Sequence, residues 1–456
     1  MTPPPAWRIE SGVPGIAWPA VPYGNAAIVL SLLQQLEQTQ WLPSEAILER
    51  QRVQLEALLR HAHATVPFYR ERWAGAYDGD VPLTMERFAQ LPLLTRRELQ
   101  ENYAALRSAS PPAAHGAIRE GRTSGSIGAP VRFLSTELGA LFWAALTLRD
   151  HLWHGRDLSA KLAVIRRETE RGTADNWGPA TAGLARTGPS VTNSIFADAE
   201  AQLDWLEAEQ PAYVFTYPTL VREMARIALR RGTRLDGLRE LRTLAESLDP
   251  DLRALCREAW GVPLTDLYSA SETGYLALQC PAHEHYHVQS ESVLLEVLDE
   301  AGAPCGPGQV GRVVATPLHS FAMPLIRYDV GDYAEVGEPC ACGRGLPVLR
   351  RILGRVRNAL VAADGRKYWP VFGTRALIEE TAVRQYQFAQ TSLDLIEARL
   401  VVEARLTPQQ ETRFRERVLS MLPAGMTLRF AYVSSLPRSP GGKFEEFVSE
   451  LSAALR

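Results

Sequence analysis

Apolar and polar residues recur along this chain with two different periods, and the switches between them sketch an architecture. Over residues 44–73, Ile47, Val53, Leu55, Leu58 and Leu59 fall on one side of a helical period, which predicts a helix there. "LPLLTRRELQENY" predicts a loop, an N-cap at Thr95 and a second helix. "TELGALFWAALTLRDHLWHG" predicts a long amphipathic helix ending at Gly155. Then "KLAVIR", "YVFTY" and "LRELRTL" read as strands alternating with helices, one of which follows a turn at Pro218 and closes at Gly232. Such alternation implies an α/β architecture with a largely parallel sheet.

Past Val288 the texture turns to β. "SVLLEVLDE" and "GRVVATPL" predict two strands joined by a glycine-containing turn. "LRRILGRVRN" places a hinge at Gly354-Arg355, and the last hundred or so residues predict a small α+β unit of strand, helix, strand and turn. The expected fold class is α/β, with a large body of mixed sheets over residues 1–353 and a small mobile α+β lid over 354–456.

Composition adds exclusions. A net charge of -3, with no block of like charges, argues against a nucleic acid or an anionic membrane as the main partner. No apolar run approaches the roughly 18 residues that span a bilayer, and the start lacks a secretory pattern, so a cytoplasmic protein is expected. Five cysteines are too few for a disulfide scaffold in 456 residues. Of 49 basic residues, three are lysines: Lys161, Lys367 and Lys443. In a chain so biased to arginine, a lysine on a Pro/Gly turn ("SPGGKF") points to a need for a compact charge.

Four stretches could carry chemistry. "TSGSIGAP" exposes backbone N–H groups and the hydroxyls of Thr123, Ser124 and Ser126, a surface suited to phosphate oxygens; without Gly-Lys-Ser/Thr it is not a Walker loop. "DLYSASETG" offers Tyr268 to stack on a flat ring and Glu272 to ligate magnesium. In "PLIRYDVGDYAEV" Asp329 and Asp332 flank a tight turn, where a carboxylate can accept from a ribose diol, and Lys443 completes the set. Separately, Cys280 lies in "CPAHEHYH" beside His283, His285 and His287, and Cys340 and Cys342 form "CAC". Three thiolates and one imidazole make a closed, structural zinc site.

Taken in order, these segments resemble the adenylate-forming superfamily, in the branch of phenylacetate–CoA ligases and coenzyme F390 synthetases. The matching stretches are TSGSIGAP, "LAES" (Ala245, Glu246), YSASE, RYDVGD, "LGRVRN" and "GGK", with "LLRHAHATVPFYRERW" before them. The resemblance implies ATP-dependent formation of an acyl-adenylate from an aryl or arylacetic acid, then transfer to the thiol of CoA or of an acyl carrier protein. It assigns catalytic roles to Lys443, Glu272 (with Mg²⁺) and Thr123. ATP would be bound by Ser124, Gly125, Ser126, Gly128, Ala245, Glu246, Tyr268, Ser271, Asp332 and Arg355. Zinc would be held by Cys280, His287, Cys340 and Cys342, with His283 as the other candidate histidine. Phe142 and Trp143 could line a flat acyl pocket. A homodimer is left open, and a non-catalytic nucleotide-binding scaffold is the alternative function. The chain departs from the family pattern at Ala129, where lysine is usual, at Ile127 and Ser269, and at Arg357, where aspartate is common.

Overall fold

A computed structural model of the chain describes residues 8–123, 130–167, 169–355, 358–370, 383–436, 438 and 444–451. The first predicted helix is broken in two. It runs Ser44–Thr65 and restarts at Pro67–Arg72, with Val66 extended (φ -110°, ψ 109°) between them. Pro67 is the cause, because its ring excludes a helical conformation at the preceding residue and it suits the first position of a new helix. The same preference places Pro218 inside the helix Pro218–Arg231, at its start, and not in the turn before it. Thr95 caps the helix Arg96–Glu101 in a full capping box with Glu98. Thr136 caps the long helix Glu137–Trp153, and Gly232 ends its own helix in the left-handed region, as predicted.

Among the described residues, twelve strands form one large sheet. Its parallel part consists of Ser190–Ser194, Leu162–Arg166, Tyr213–Thr216, Glu240–Leu244 and Leu264–Ala270, in that spatial order, with Gly172–Ala174 antiparallel on the outer side of Ser190–Ser194. From Gly274–Gln279 onward the sheet is antiparallel, through Tyr286–Val288, Val348–Arg355, Tyr328–Val336, Val310–Pro317 and Val293–Leu298. The last two are the predicted pair, with Val293 opposite Pro317. Helices Ala199–Glu209, Pro218–Arg231 and Pro250–Trp260 cover one face through Leu203, Leu220, Met224 and Leu252, while Glu137–Trp153 covers the other.

The C-terminal part is a separate four-stranded sheet carrying the helix Pro408–Leu419, with Phe388, Ile396, Leu400, Phe414 and Phe447 as its core. The predicted strand, helix and strand are Leu395–Val402, Pro408–Leu419 and Thr427–Tyr432. No helix among the described residues is long and apolar enough to cross a membrane.

Candidate active site

In an open α/β sheet, ligands bind beyond the carboxyl ends of the parallel strands. Here Glu240–Leu244 runs into Ala245-Glu246, and Leu264–Ala270 runs into Ser271-Glu272. A cavity of about 1700 Å³ opens at that end. Its wall brings together Thr123, Ala245, Glu246, Tyr268, Ser271, Glu272, Asp332 and Arg355, joined by residues 444–447 from the C-terminal part. Ser124, Gly125, Ser126, Ile127, Gly128, Ala129, Arg357 and Lys443 lie outside the described residues. The flanks of the glycine loop are described: Arg122 pairs with Arg132 across a short antiparallel ladder, and Thr123 Oγ1 accepts from Val131 N–H at 3.0 Å.

Sheet register explains the next group. Asp332 and Arg355 are direct cross-strand partners, which sets Arg355 Nε 3.5 Å from Asp332 Oδ1. The Tyr268 hydroxyl donates to the other carboxylate oxygen, Oδ2, at 2.9 Å. Burial, and then the Asp332 charge, push this phenol well above its ordinary pKa, so it stays a donor. Glu272 accepts from the Tyr328 hydroxyl at 3.2 Å. Glu272 is one hard carboxylate on that wall, and magnesium takes one or two protein carboxylates and fills its shell with water and substrate phosphate.

Ala245 has φ +69°, a conformation that costs a non-glycine residue of order 1–3 kcal/mol. Glu246 N–H closes a tight turn around it onto Leu244 O at 3.0 Å. That turn delivers the Glu246 carboxylate to the start of Pro218–Arg231, where Oε2 accepts from Thr219 N–H at 3.1 Å and Thr219 Oγ1 at 2.8 Å. A carboxylate is favoured at a helix N-terminus by its free N–H groups and dipole. Its Oε1 reaches the C-terminal part, accepting from Phe444 N–H at 2.8 Å, with Arg438 at 3.7 Å. Glu246, picked out as a nucleotide residue, therefore also joins the two parts in this arrangement.

Sequence reasoning missed Arg222. It is 5% exposed, donates to Asp249 at 3.0 Å and to the Tyr386 hydroxyl at 3.2 Å, and is ion-paired with Glu446. Two of those partners, Tyr386 and Glu446, belong to the C-terminal part. Nothing local marks this arginine among the many others; its role depends on which helical face meets the second unit. Gly354 is legible by contrast. It has φ +83°, and a Cβ there would run into the Ser247 hydroxyl. Gly354→Ala is expected to cost about 1–2 kcal/mol, read as a lowered midpoint of denaturant unfolding.

The cysteines and histidines also converge. Cys280 N–H donates to His285 O at 2.8 Å, closing the hairpin between Gly274–Gln279 and Tyr286–Val288. Donor atoms of Cys280, His285, His287 and Cys340 lie within 4.8 Å of one another, and Cys342 Sγ is 3.4 Å from His287 Nε2. His283, the second candidate, stacks on His285, and it is His285 that enters the cluster. Cys280 and Cys340 sulfurs are 3.8 Å apart. An ideal tetrahedral zinc has S–S edges of about 3.8 Å and S–N edges of about 3.6 Å, which the Cys280–Cys340 and Cys342–His287 separations approach, while the four donors mutually within 4.8 Å include His285 in place of Cys342. Burial lowers the His287 pKa to about 4, leaving a neutral imidazole. Its Nδ1 faces Leu346 O at 3.3 Å, the outer hydrogen bond that orients a ligating histidine. Burial pushes Cys340 up to about 12, whereas Cys342 is lowered: hydrogen bonds from Arg344 outweigh its burial.

Of the two proposed pocket aromatics, Trp143 lines the cavity; Phe142 instead stacks on His319, with ring centroids 3.8 Å apart.

No family model matches the chain. It is 26% identical over 438 residues to a phenylacetate–coenzyme A ligase of Thermus thermophilus, covering 88% of this chain and 96% of that protein. It is 24% identical over 422 residues to the Escherichia coli phenylacetate–coenzyme A ligase, covering 85% and 91%. Among solved structures it resembles 2-hydroxyisobutyryl-CoA ligase in the postadenylation state, with TM-score 0.72, 19% identity and coverage of 91% and 92%. The same neighbour in its thioesterification state gives 0.58 at 20% identity over 91% of each chain, so the overall arrangement here follows the former. In sequence the chain is similar to phenylacetate–coenzyme A ligases, and in fold to 2-hydroxyisobutyryl-CoA ligase.

Proposed function

We propose that the chain is an AMP-forming acid–thiol ligase that activates an aryl or arylacetic acid and passes the acyl group to coenzyme A. The observation that carries this reading is the meeting of Glu246, Tyr268, Glu272, Asp332 and Arg355, from separate strands, in one cavity that residues 444–447 also line. A carboxylate oxygen attacks the α-phosphorus of ATP, the bond to the bridging oxygen breaks, and pyrophosphate leaves. The thiol sulfur then attacks the acyl carbon and AMP leaves. A carboxylate is already anionic at neutral pH, so the first step requires no protein base; what it requires is stabilisation of charge gathering at phosphorus. Thr123 and the loop after it, with the ammonium of Lys443, supply that. Magnesium on Glu272 would neutralise phosphate charge. Tyr268 would cover the adenine while holding Asp332 toward the ribose. Aromatic cavity residues Trp143, Trp177, Phe215 and Tyr275 support an aryl substrate.

The domain boundary in this reading falls after residue 353. The lid would rotate about Gly354-Arg355 between the two steps, releasing the contacts of Arg222 and Glu246. We place a structural zinc on Cys280, Cys340, Cys342 and His287.

ATP–pyrophosphate exchange with a panel of aryl and arylacetic acids tests the activation step, and thioester formation with CoA against holo-carrier protein identifies the acceptor. Exchange with none of the acids would leave a nucleotide-binding scaffold. Asp332→Asn is expected to raise the KM for ATP about 10- to 100-fold, the scale of losing a hydrogen bond to a charged group, measured by the same exchange.

A further inference from the structure

The cavity extends beyond the nucleotide-facing residues. It continues between the sheet and the helix Glu137–Trp153, along Trp143, Thr147 and His151, which recur every fourth residue on one helical face. Opposite them, Val164, Phe215 and Arg242 are neighbours in one cross-strand row. Arg242 precedes Ala245 by three residues on the same strand, about 10 Å back at the usual rise. It therefore stands at the far end of any acid whose carboxylate reacts near Ala245 and Glu246.

Arg242 is 8% exposed, and its guanidinium lies over the Phe215 ring, 4.5 Å from the centroid. Nη2 is 2.6 Å from Asp150 Oδ2 but out of line for a hydrogen bond, and Nε is buried with no partner. Asp150 is already engaged by Arg156 at 2.7 Å, and Arg156 in turn by Glu240 at 2.6 Å. The network is thus closed around Arg156 and open at Arg242. His151 adds no charge, because burial, with the neighbouring arginines, holds its imidazole neutral. Buried donors without acceptors are rare and costly, and in a binding cavity the missing acceptor is supplied by what binds there.

Resting on the ligase reading, we propose that Arg242 determines specificity: the acid carries, at the end remote from its reacting carboxylate, a second oxygen acceptor that hydrogen-bonds this guanidinium. A ring hydroxyl and a second carboxylate share that chemistry. An acid lacking it leaves the desolvated guanidinium ion-paired to Asp150 but with Nε still without an acceptor once the cavity is filled, the situation in which enzymes discriminate most strongly.

The test compares phenylacetate with its 3- and 4-hydroxy and 3- and 4-carboxy derivatives in pyrophosphate exchange by the full chain. At least one acceptor-bearing acid is expected to exceed phenylacetate about tenfold or more in kcat/KM, and the hydroxy and carboxy arms separate the two sources. Arg242→Lys, and Arg242→Gln as a second variant, should reduce that ratio about tenfold in folded protein, whatever happens to the absolute rates. Phenylacetate equalling or exceeding every derivative overturns the inference and leaves the ligase reading standing. So does an unchanged ratio in both variants. Exchange with no acid at all overturns the ligase reading and this inference with it.

Discussion

Lys443→Ala is expected to slow acyl-adenylate formation by about two to three decades, the scale of removing one preorganised charge from a transition state. Thioester formation from supplied acyl-adenylate should fall far less. The asymmetry follows from where charge develops. Phosphorus gathers negative charge in the first step and is a spectator in the second. Lys443 itself lies outside the described residues, but its neighbour Phe444 is on the cavity wall with its N–H held by Glu246. Lys443→Arg is the informative companion. It keeps the charge but presents a planar fork in place of a compact ammonium, and only partial recovery is expected. Single-turnover measurement of each half-reaction checks the split. Equal losses in both would mean that Lys443 supports the fold and not the first transition state.

Much of this was legible because the signals are local. Thr95 and Glu98 form a capping box from four consecutive residues, and Gly232 ends a helix because its backbone can turn left-handed. Asp332, Tyr268 and Glu272 could be singled out because each sits in a short segment whose order along the chain matches the superfamily. Pro67 was equally visible, yet the apolar period runs straight across it; the break is a backbone effect that periodicity does not register. Arg222 and Arg242 were not legible. Both are single arginines in a chain full of them, and each acquires meaning from a partner more than ninety residues away, Tyr386 for one and Asp150 for the other. The direction of the Glu246 carboxylate was hidden for the same reason, since it depends on a left-handed alanine.

Purified protein is expected to contain about one zinc per chain, and Cys340→Ser to lose it. The segment from residue 337 to 347 that carries Cys340 and Cys342 has no helix or strand of its own. Its contacts to the rest of the fold include Gly345 N–H to Gln40 O, Gly337 N–H to Val348 O and Val288 N–H to Pro347 O, each at 2.9 Å, Arg344 Nε to Gln40 Oε1 at 2.8 Å, and the buried Leu346. A metal tying it to Cys280 and His287 would replace the missing ladder. Losing the metal also leaves three thiols and a buried imidazole crowded together. Metal binding of this kind is folding energy, and losing several kcal/mol of it should lower Tm by about 5–10 °C. Five donors gather where tetrahedral zinc takes four, so two further variants identify the set. The 3.4 Å Cys342–His287 edge, close to a zinc site's sulfur–nitrogen spacing, favours Cys342, although His285 is the residue whose donor lies within 4.8 Å of those of Cys280, His287 and Cys340. Cys342→Ser should therefore lose zinc and stability together, while His285→Ala keeps both. Elemental analysis after preparation in metal-free buffer, with thermal unfolding alongside, reads the outcome. Wild-type protein with no zinc and three freely titratable thiols at Cys280, Cys340 and Cys342 would remove the site; zinc lost from His285→Ala and retained by Cys342→Ser would reassign its fourth ligand.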